Sequence, residues 1–228
     1  MSDSGAVLFA RYAYPPNELG HCGPDGAGAL LDAAAPDEIG RRARAFPGAW
    51  SYLEFIARSA GLDDPLDETV VRAYWLGNEL LDRVPGPELA AFLRERFGAP
   101  HGGAWPEAVA HHSFQVFAVY PWLALLRRTG HPSAVTVLDR CRIRAGTVVD
   151  VDGEQAVVRC RPLVRAGAGL IDGPAREERV RWSVGGRALI EGLGAGDRVA
   201  LHWDWLCDRI SEGEAARLTA YQEQILNF

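Results

Sequence analysis

Near residue 141 the spacing of apolar residues drops from the roughly 3.6-residue helical period to the two-residue period of a strand. That change divides the chain into two kinds of structure. Downstream of it Ile143, Ala145, Thr147, Val149 and Val151 alternate with mostly polar neighbours, as a half-buried strand requires. Upstream, apolar residues recur on helical faces between proline and glycine stops. The expected fold class is α+β: an N-terminal all-α helical domain over residues 1–138, then a small OB-like β-barrel with a C-terminal helix over residues 139–228.

The helical half is punctuated clearly from Asp37 onward. Asp37 precedes a short helix, and Pro47 suits the first turn of the next, whose Trp50, Leu53, Ile56 and Ala57 share a face before Gly61 ends it. Asp67 is an N-cap candidate for ETVVRAYWLGNELLDRV, read as one helix up to Pro85 and Gly86. Pro87 opens another helix that stops at Gly98, and glycines and prolines mark a loop from there through Trp105. In AVAHHSFQVFAVYPWLALLRRTG, Pro121 must kink or split the helix, because it lacks an N–H and clashes with the preceding turn. At the start of the chain, residues 8–28 combine Pro15, Pro16 and four glycines, which predicts an ordered Pro/Gly-rich loop.

In the second half, residues 133–140 read as a connecting helix and Cys141 as the residue that opens the first strand. Asp152-Gly153 signals a hairpin, and residues 155–164 return as the second strand. A Gly-rich loop over 165–173 precedes a strand at ERVRWSV. A short strand follows Gly185-Gly186, and a last strand over 198–205 sets Val199 and Leu201 on one side and His202 on the other. Ser211 and Glu214 form a capping box for the final helix. Five short strands and a helix suggest a barrel of the OB type.

Composition narrows the function. A 48% hydrophobic chain of 228 residues has ample apolar side chain for a core. The net charge is −6 and every basic residue is arginine, so there is no basic stripe of the kind that phosphate backbones need, and no nucleic-acid partner is expected. The apolar run around residues 114–126 is too short and too interrupted to span a bilayer. Cys22, Cys141, Cys160 and Cys207 form no CxxC pair, and the first residues have no secretory pattern. A reduced, cytoplasmic protein with no membrane association is expected.

No phosphate-binding glycine loop, HExxH, GxSxG or zinc-type spacing is present. Two places carry candidate ligands. In the N-terminal loop, His21 and Cys22 are either packed residues shaped by their glycines and prolines or part of a metal or acid–base site. In the barrel, Cys141 and His202 lie far apart in sequence on strands that closure could bring together, and a thiolate with an imidazole suits a soft or low-spin metal better than a hard cation. His111 and His112, being adjacent on a helix, point about 100° apart and are not expected to bind one ion together.

The residues CRIRAGTVVDVDG, from Cys141 to Gly153, resemble the opening of the HypC/HupF family of [NiFe]-hydrogenase maturation chaperones: a cysteine, four residues, a glycine, apolar residues and an acidic-Gly turn. GDRVALHWDWLCDRISEGEA resembles that family's closing strand, histidine and acidic helix. The match covers about residues 141–164 and 196–220, in the right order. Where the family has a glycine after the histidine, this chain has Trp203-Asp204-Trp205; Cys141 is internal rather than N-terminal, and the segment 165–194 is longer. The N-terminal half, with RYAYPPNELGHCGPD and YWLGNELL, resembles an uncharacterised bacterial domain family.

The resemblance implies a chaperone and metal-fragment carrier rather than an enzyme. Cys141 and His202 would take the places of the residues that hold an Fe(CN)2CO unit together with a HypD-like protein, before it passes to the hydrogenase large-subunit precursor. The alternative expectation is a metal- or thiol-dependent enzyme whose site lies between the two domains and uses His21, Cys22 and Cys141.

Overall fold

The computed structural model describes residues 3–100, 105, 107–167 and 169–226. Helices fill the N-terminal half: α1 (Asp3–Glu18), α2 (Pro36–Ala43), α3 (Pro47–Ala60), α4 (Glu68–Leu76), α5 (Gly86–Phe97), a single turn α6 (His112–Phe114), α7 (Trp122–Thr129) and α8 (Pro132–Cys141). Among the described residues seven strands follow: β1 (Arg144–Asp152), β2 (Gln155–Cys160), β3 (Leu163–Ala166), β4 (Gly169–Asp172), β5 (Arg176–Arg181), β6 (Arg198–His202) and β7 (Trp205–Arg209). Helix α9 (Glu212–Leu226) closes the chain.

Five strands form a closed barrel in the order β1-β2-β5-β7-β6, and β3 and β4 make a separate two-stranded hairpin. All pairings in the barrel are antiparallel except β5 with β7, which meet at Arg181 and Trp205. Register slips between Val148 and Asp150 on β1, and Val149 is left partly exposed there. Inside the barrel, Val148, Ala156, Val158, Cys160, Val180, Val199, Leu201 and Leu206 form one apolar core.

A second, larger core joins the helices to the outer face of β6 and β7. It takes in Phe9, Tyr12, Trp75 and Phe114 from the helical half and Ala200, Trp205 and Cys207 from the barrel. The two-residue period of β6 explains this division: Val199 and Leu201 point into the barrel while Ala200 and His202 point out toward α1. Tyr14 packs edge-on against Trp205, with ring centroids 4.8 Å apart. Helix α9 lies across the junction. Its Gln222 is buried, donates to the Ile143 carbonyl at 2.6 Å and accepts from Arg142 at 2.8 Å.

Several boundaries follow their end signals. Gly61 caps α3 in the left-handed conformation, the Asp67 side chain accepts from the Thr69 N–H, and Ser211 with Glu214 forms the reciprocal capping box of α9. Others differ from expectation. Residues 8–18 are not a loop but most of α1, which holds Pro15 and Pro16 in its last turn; the irregular stretch begins only at Leu19. Burial of Leu8, Phe9, Tyr12 and Tyr14 in the larger core outweighs the helix penalty of the prolines, since a buried large side chain contributes roughly 1.5–3 kcal/mol.

The helix begun at Asp67 stops at Gly77, where φ is 85° and Tyr221 of α9 sits so close that a Cβ would come within 2.3 Å of its ring. A separate 3-10 turn covers Glu79–Arg83. Cys141 does not open β1; it ends α8, and the strand starts at Arg144. The Gly-rich loop folds as the β3–β4 hairpin, and residues 187–192 contribute only an isolated bridge, Val184 to Arg187. The strand expected over 198–205 is two strands joined by a tight turn at Trp203-Asp204. Most of the loop expected between Gly98 and Trp105 lies outside the described residues.

Candidate metal centre at the junction

Three backbone carbonyls without helical partners organise the site. The first belongs to Tyr12. In an α-helix its oxygen would accept from the N–H four residues on, but that residue is Pro16, which has none. His202 supplies the missing donor: its Nδ1 lies 2.7 Å from the Tyr12 oxygen. The other two are at the C-terminal end of α8, where the last carbonyls are always orphaned. The Arg140 carbonyl accepts from the Trp203 N–H at 2.8 Å, and the Cys141 carbonyl accepts from His112 Nε2 at 2.8 Å.

These bonds bring His112, Cys141 and His202 together. One donor atom from each, the Cys141 sulfur and an imidazole nitrogen from each histidine, all lie within 4.8 Å of one another. His112 comes from the helical half, Cys141 from the joint and His202 from the barrel. The two imidazoles meet edge to face with centroids 5.1 Å apart, and Trp75 lies against both, at 4.6 Å from His112 and 5.7 Å from His202.

The Trp203-Asp204 turn that follows His202 is clamped to α8. Arg144, buried, donates to the Trp203 carbonyl at 2.6 Å and to Glu178 at 2.5 Å, and Arg140 reaches the same two acceptors. Trp203 itself has φ of 56°, and no other non-glycine residue among those described has a positive φ.

A carbonyl oxygen only accepts, so the partners assign the tautomers. His202 carries its proton on Nδ1, and its Nε2, buried beside the Cys141 backbone carbonyl, makes no hydrogen bond. His112 carries its proton on Nε2, and its Nδ1 accepts from the Tyr74 hydroxyl at 3.1 Å. Burial holds both rings neutral: it lowers His112 to about 4, and it drives His202 well below the usual histidine range, with the neighbouring His112 adding to the effect. Burial, aided by the nearby Cys22, pushes the Cys141 thiol up to about 12, although the residue keeps some accessible surface. Neutral imidazoles are ready ligands, whereas the thiol must lose its proton to a metal.

Of the residues singled out in the sequence, Cys141 and His202 are brought together. Cys22 is half-buried near Cys141 and is pushed up to about 12 by burial, but its sulfur is not among the three clustered donors. His21 is exposed and stacks on Trp203 at 4.2 Å. His111 and His112 do diverge: His111 caps its own helix by accepting from Ser113, stacks on Tyr221 and lies outside the cluster. His112 is the member that sequence reasoning missed. No spacing links it to Cys141, and the only hint was an imidazole at the head of a strongly apolar run.

The arrangement suits a soft or borderline transition metal: one thiolate and two imidazoles, with no carboxylate in the set. A surface cleft of about 570 Å³ beside α3 and α5, lined in part by Arg58, Asp63 and Phe92, shares no residue with it. Among the described residues no helix is long and apolar enough to cross a membrane.

A mixed α/β chain with a buried thiol–imidazole cluster at the joint of its helices and barrel is thus the class that fold and site define. The chain belongs to a family of unknown function, DUF6390, whose model matches residues 1–228. No curated protein and no solved structure matches it.

Proposed function

We propose that this protein is an accessory factor of [NiFe]-hydrogenase assembly that binds a metal fragment at Cys141 and His202. The observation that carries the reading is the meeting of those two side chains. They are distant in sequence, they belong to the two blocks that resemble the HypC/HupF family, and their donor atoms come within 4.8 Å. The barrel's strand order, β1-β2-β5-β7-β6 with its one parallel pair, is compatible with the OB type expected of that family. Trp203 adds support. It stands where the family has glycine, and its φ of 56° lies in the left-handed region that favours glycine.

In this reading an Fe(CN)2CO unit is cargo. A thiolate and the free Nε2 of His202 are donors of the kind low-spin iron prefers. The helical domain, residues 1–138, recognises the large-subunit precursor or a HypD-like partner, while the barrel domain, 139–228, holds the fragment, all in the cytoplasm. Joining two binding surfaces in one chain raises the effective concentration of the second once the first is engaged.

Anaerobic co-purification from a hydrogenase-producing host tests this. The expected result is recovery of a large-subunit precursor or HypD-like protein with the wild-type chain, and loss of hydrogenase activity with Cys141→Ala. Recovery of neither, with unchanged activity in the variant, overturns the reading. The second reading, a metal enzyme with its site between the halves, draws on the contribution of His112 from the helical side. It is favoured instead if stoichiometric iron or zinc is bound with no infrared-active CN or CO ligand.

A further inference from the structure

The cluster contains one more ligand than the Cys141–His202 pairing uses, and it comes from outside the barrel. We propose that His112 completes a three-residue site, Cys141–His112–His202, for a thiophilic divalent first-row metal ion, and that Tyr74, by turning its hydroxyl, accommodates the tautomer exchange by which His112 enters it. This deepens the metal-fragment reading and rests on it for what is carried, but not for the ion test described below.

The geometry leads to this assignment step by step. With metal–nitrogen distances of about 2.0–2.1 Å and a metal–sulfur distance of about 2.3 Å, tetrahedral ligand atoms stand about 3.3–3.6 Å apart. Donor atoms that already lie within 4.8 Å of one another close onto an ion by side-chain adjustments of about an ångström, with no movement of the elements that carry them. His202 is set for this: Nδ1–H is held by the Tyr12 carbonyl and Nε2 is free. A ligating histidine ordinarily donates its other N–H in this way to a carbonyl or carboxylate.

His112 is not yet set. Its Nε2–H is engaged by the Cys141 carbonyl and its Nδ1 by Tyr74. The Tyr74 hydroxyl, however, has a second neighbour, the Gly48 carbonyl at 3.4 Å. A hydroxyl donates once and also accepts. When Tyr74 turns its O–H from His112 Nδ1 to the Gly48 carbonyl, its oxygen becomes an acceptor for a proton on Nδ1. Nε2 is then free to ligate. The Nε2 proton is given up to water and another is taken from water at Nδ1, so the imidazole carries one proton before and after and Tyr74 keeps its own. The single proton released leaves the Cys141 thiol, so one thiolate and two neutral imidazoles surround the cation. Three protein ligands leave a fourth position open for an exogenous ligand or a partner's side chain.

Because His112 belongs to the helical half and His202 to the barrel, the ion ties the two together. Cys22 and His21 play no part in this set.

Cobalt(II) is the probe. The full-length protein, purified metal-free under reductant, is titrated with Co(II) and followed by absorption. The proposal expects a thiolate-to-cobalt charge-transfer band and the intense visible bands of a four-coordinate ion. Tyr74→Phe is expected to weaken binding about 10- to 100-fold. His112→Gln should weaken it further and alter the visible bands, while the equally buried His111→Gln serves as control and leaves affinity unchanged. Circular dichroism establishes that each variant is folded; if His112→Gln is not, Tyr74→Phe alone decides. Unchanged cobalt affinity and spectrum in a folded His112→Gln or in Tyr74→Phe overturns the proposal and leaves the Cys141–His202 reading standing. Absence of a thiolate band in the wild type overturns it too, while the iron-fragment reading is then judged by its own co-purification.

Discussion

His202 donates its Nδ1–H to the main-chain oxygen of Tyr12, 2.7 Å away and 190 residues earlier in the chain. The bond exists because Pro16 cannot offer that oxygen an N–H. A proline that looks like a helix breaker thus fixes the tautomer of a buried imidazole and leaves its other nitrogen unbonded beside Cys141.

Pro16→Ala follows from that relationship. The new N–H competes for the Tyr12 carbonyl and loosens His202. Thermal stability is expected to hold or rise, because a proline in a helix interior costs about 3 kcal/mol. Metal affinity is expected to fall roughly 10- to 100-fold, as for other losses of a ligand's outer hydrogen bond. Thermal melts alongside a cobalt titration check both; unchanged affinity would show that the carbonyl does not orient the ring.

The buried histidines make the metal-free protein acid-sensitive. An unfolded histidine titrates near 6.5, whereas burial lowers His111 to about 3 and His112 to about 4 and drives His202 in the same direction. Below about pH 6.5 the unfolded chain therefore binds more protons than the folded one. Stability is full above that pH and is lost as pH falls toward the folded values, at up to about 1.4 kcal/mol per pH unit for each histidine. Glu18 and Glu214, lowered by their hydrogen-bond partners against burial, add to the loss further into acid; Asp208, raised by burial, opposes it. Denaturant melts between pH 7 and 4.5 should show this slope, flattened in His111→Gln.

Cys141 and Cys22 should be poor nucleophiles. With both thiols raised to about 12 by burial, iodoacetamide at neutral pH is expected to react slowly with the folded protein and quickly after denaturation. Metal binding should release one proton per ion, from Cys141 alone, which calorimetry in buffers of different ionisation enthalpy measures.

The turn after His202 separates conformational cost from packing. Trp203→Gly relieves a left-handed backbone at a half-buried site and should change stability by no more than about 1 kcal/mol. Trp205→Ala empties a fully buried position against Tyr14 and should cost about 3–5 kcal/mol. Glu178→Ala leaves the buried Arg144 guanidinium without its carboxylate and should cost about as much, 3–5 kcal/mol, and the Trp203 clamp is expected to loosen with it.

Much of this architecture was legible in the chain because its end signals are local. Gly61, Asp67, Gly98 and the Ser211–Glu214 box each act within one turn of helix, and each stands where it was expected. What was hidden depends on distant partners. Helix α1 survives its prolines through packing against α4 and β6; Gly77 ends α4 because Tyr221 of α9 rests on it; the β6–β7 turn lacks the glycine that would have announced it. The site divides in the same way. Cys141 and His202 could be paired by their place in two sequence blocks, whereas His112 joins them only through the Cys141 carbonyl and Tyr74, contacts with no footprint in residue spacing.

The most direct test of the central claim is infrared spectroscopy of the wild-type protein and of Cys141→Ala, each purified anaerobically from a hydrogenase-producing host. Bound iron with CN and CO stretching bands is expected in the wild type, with loss of both iron and bands in the variant. Iron-free wild-type protein without such bands, or bands that persist in a folded Cys141→Ala, would contradict it.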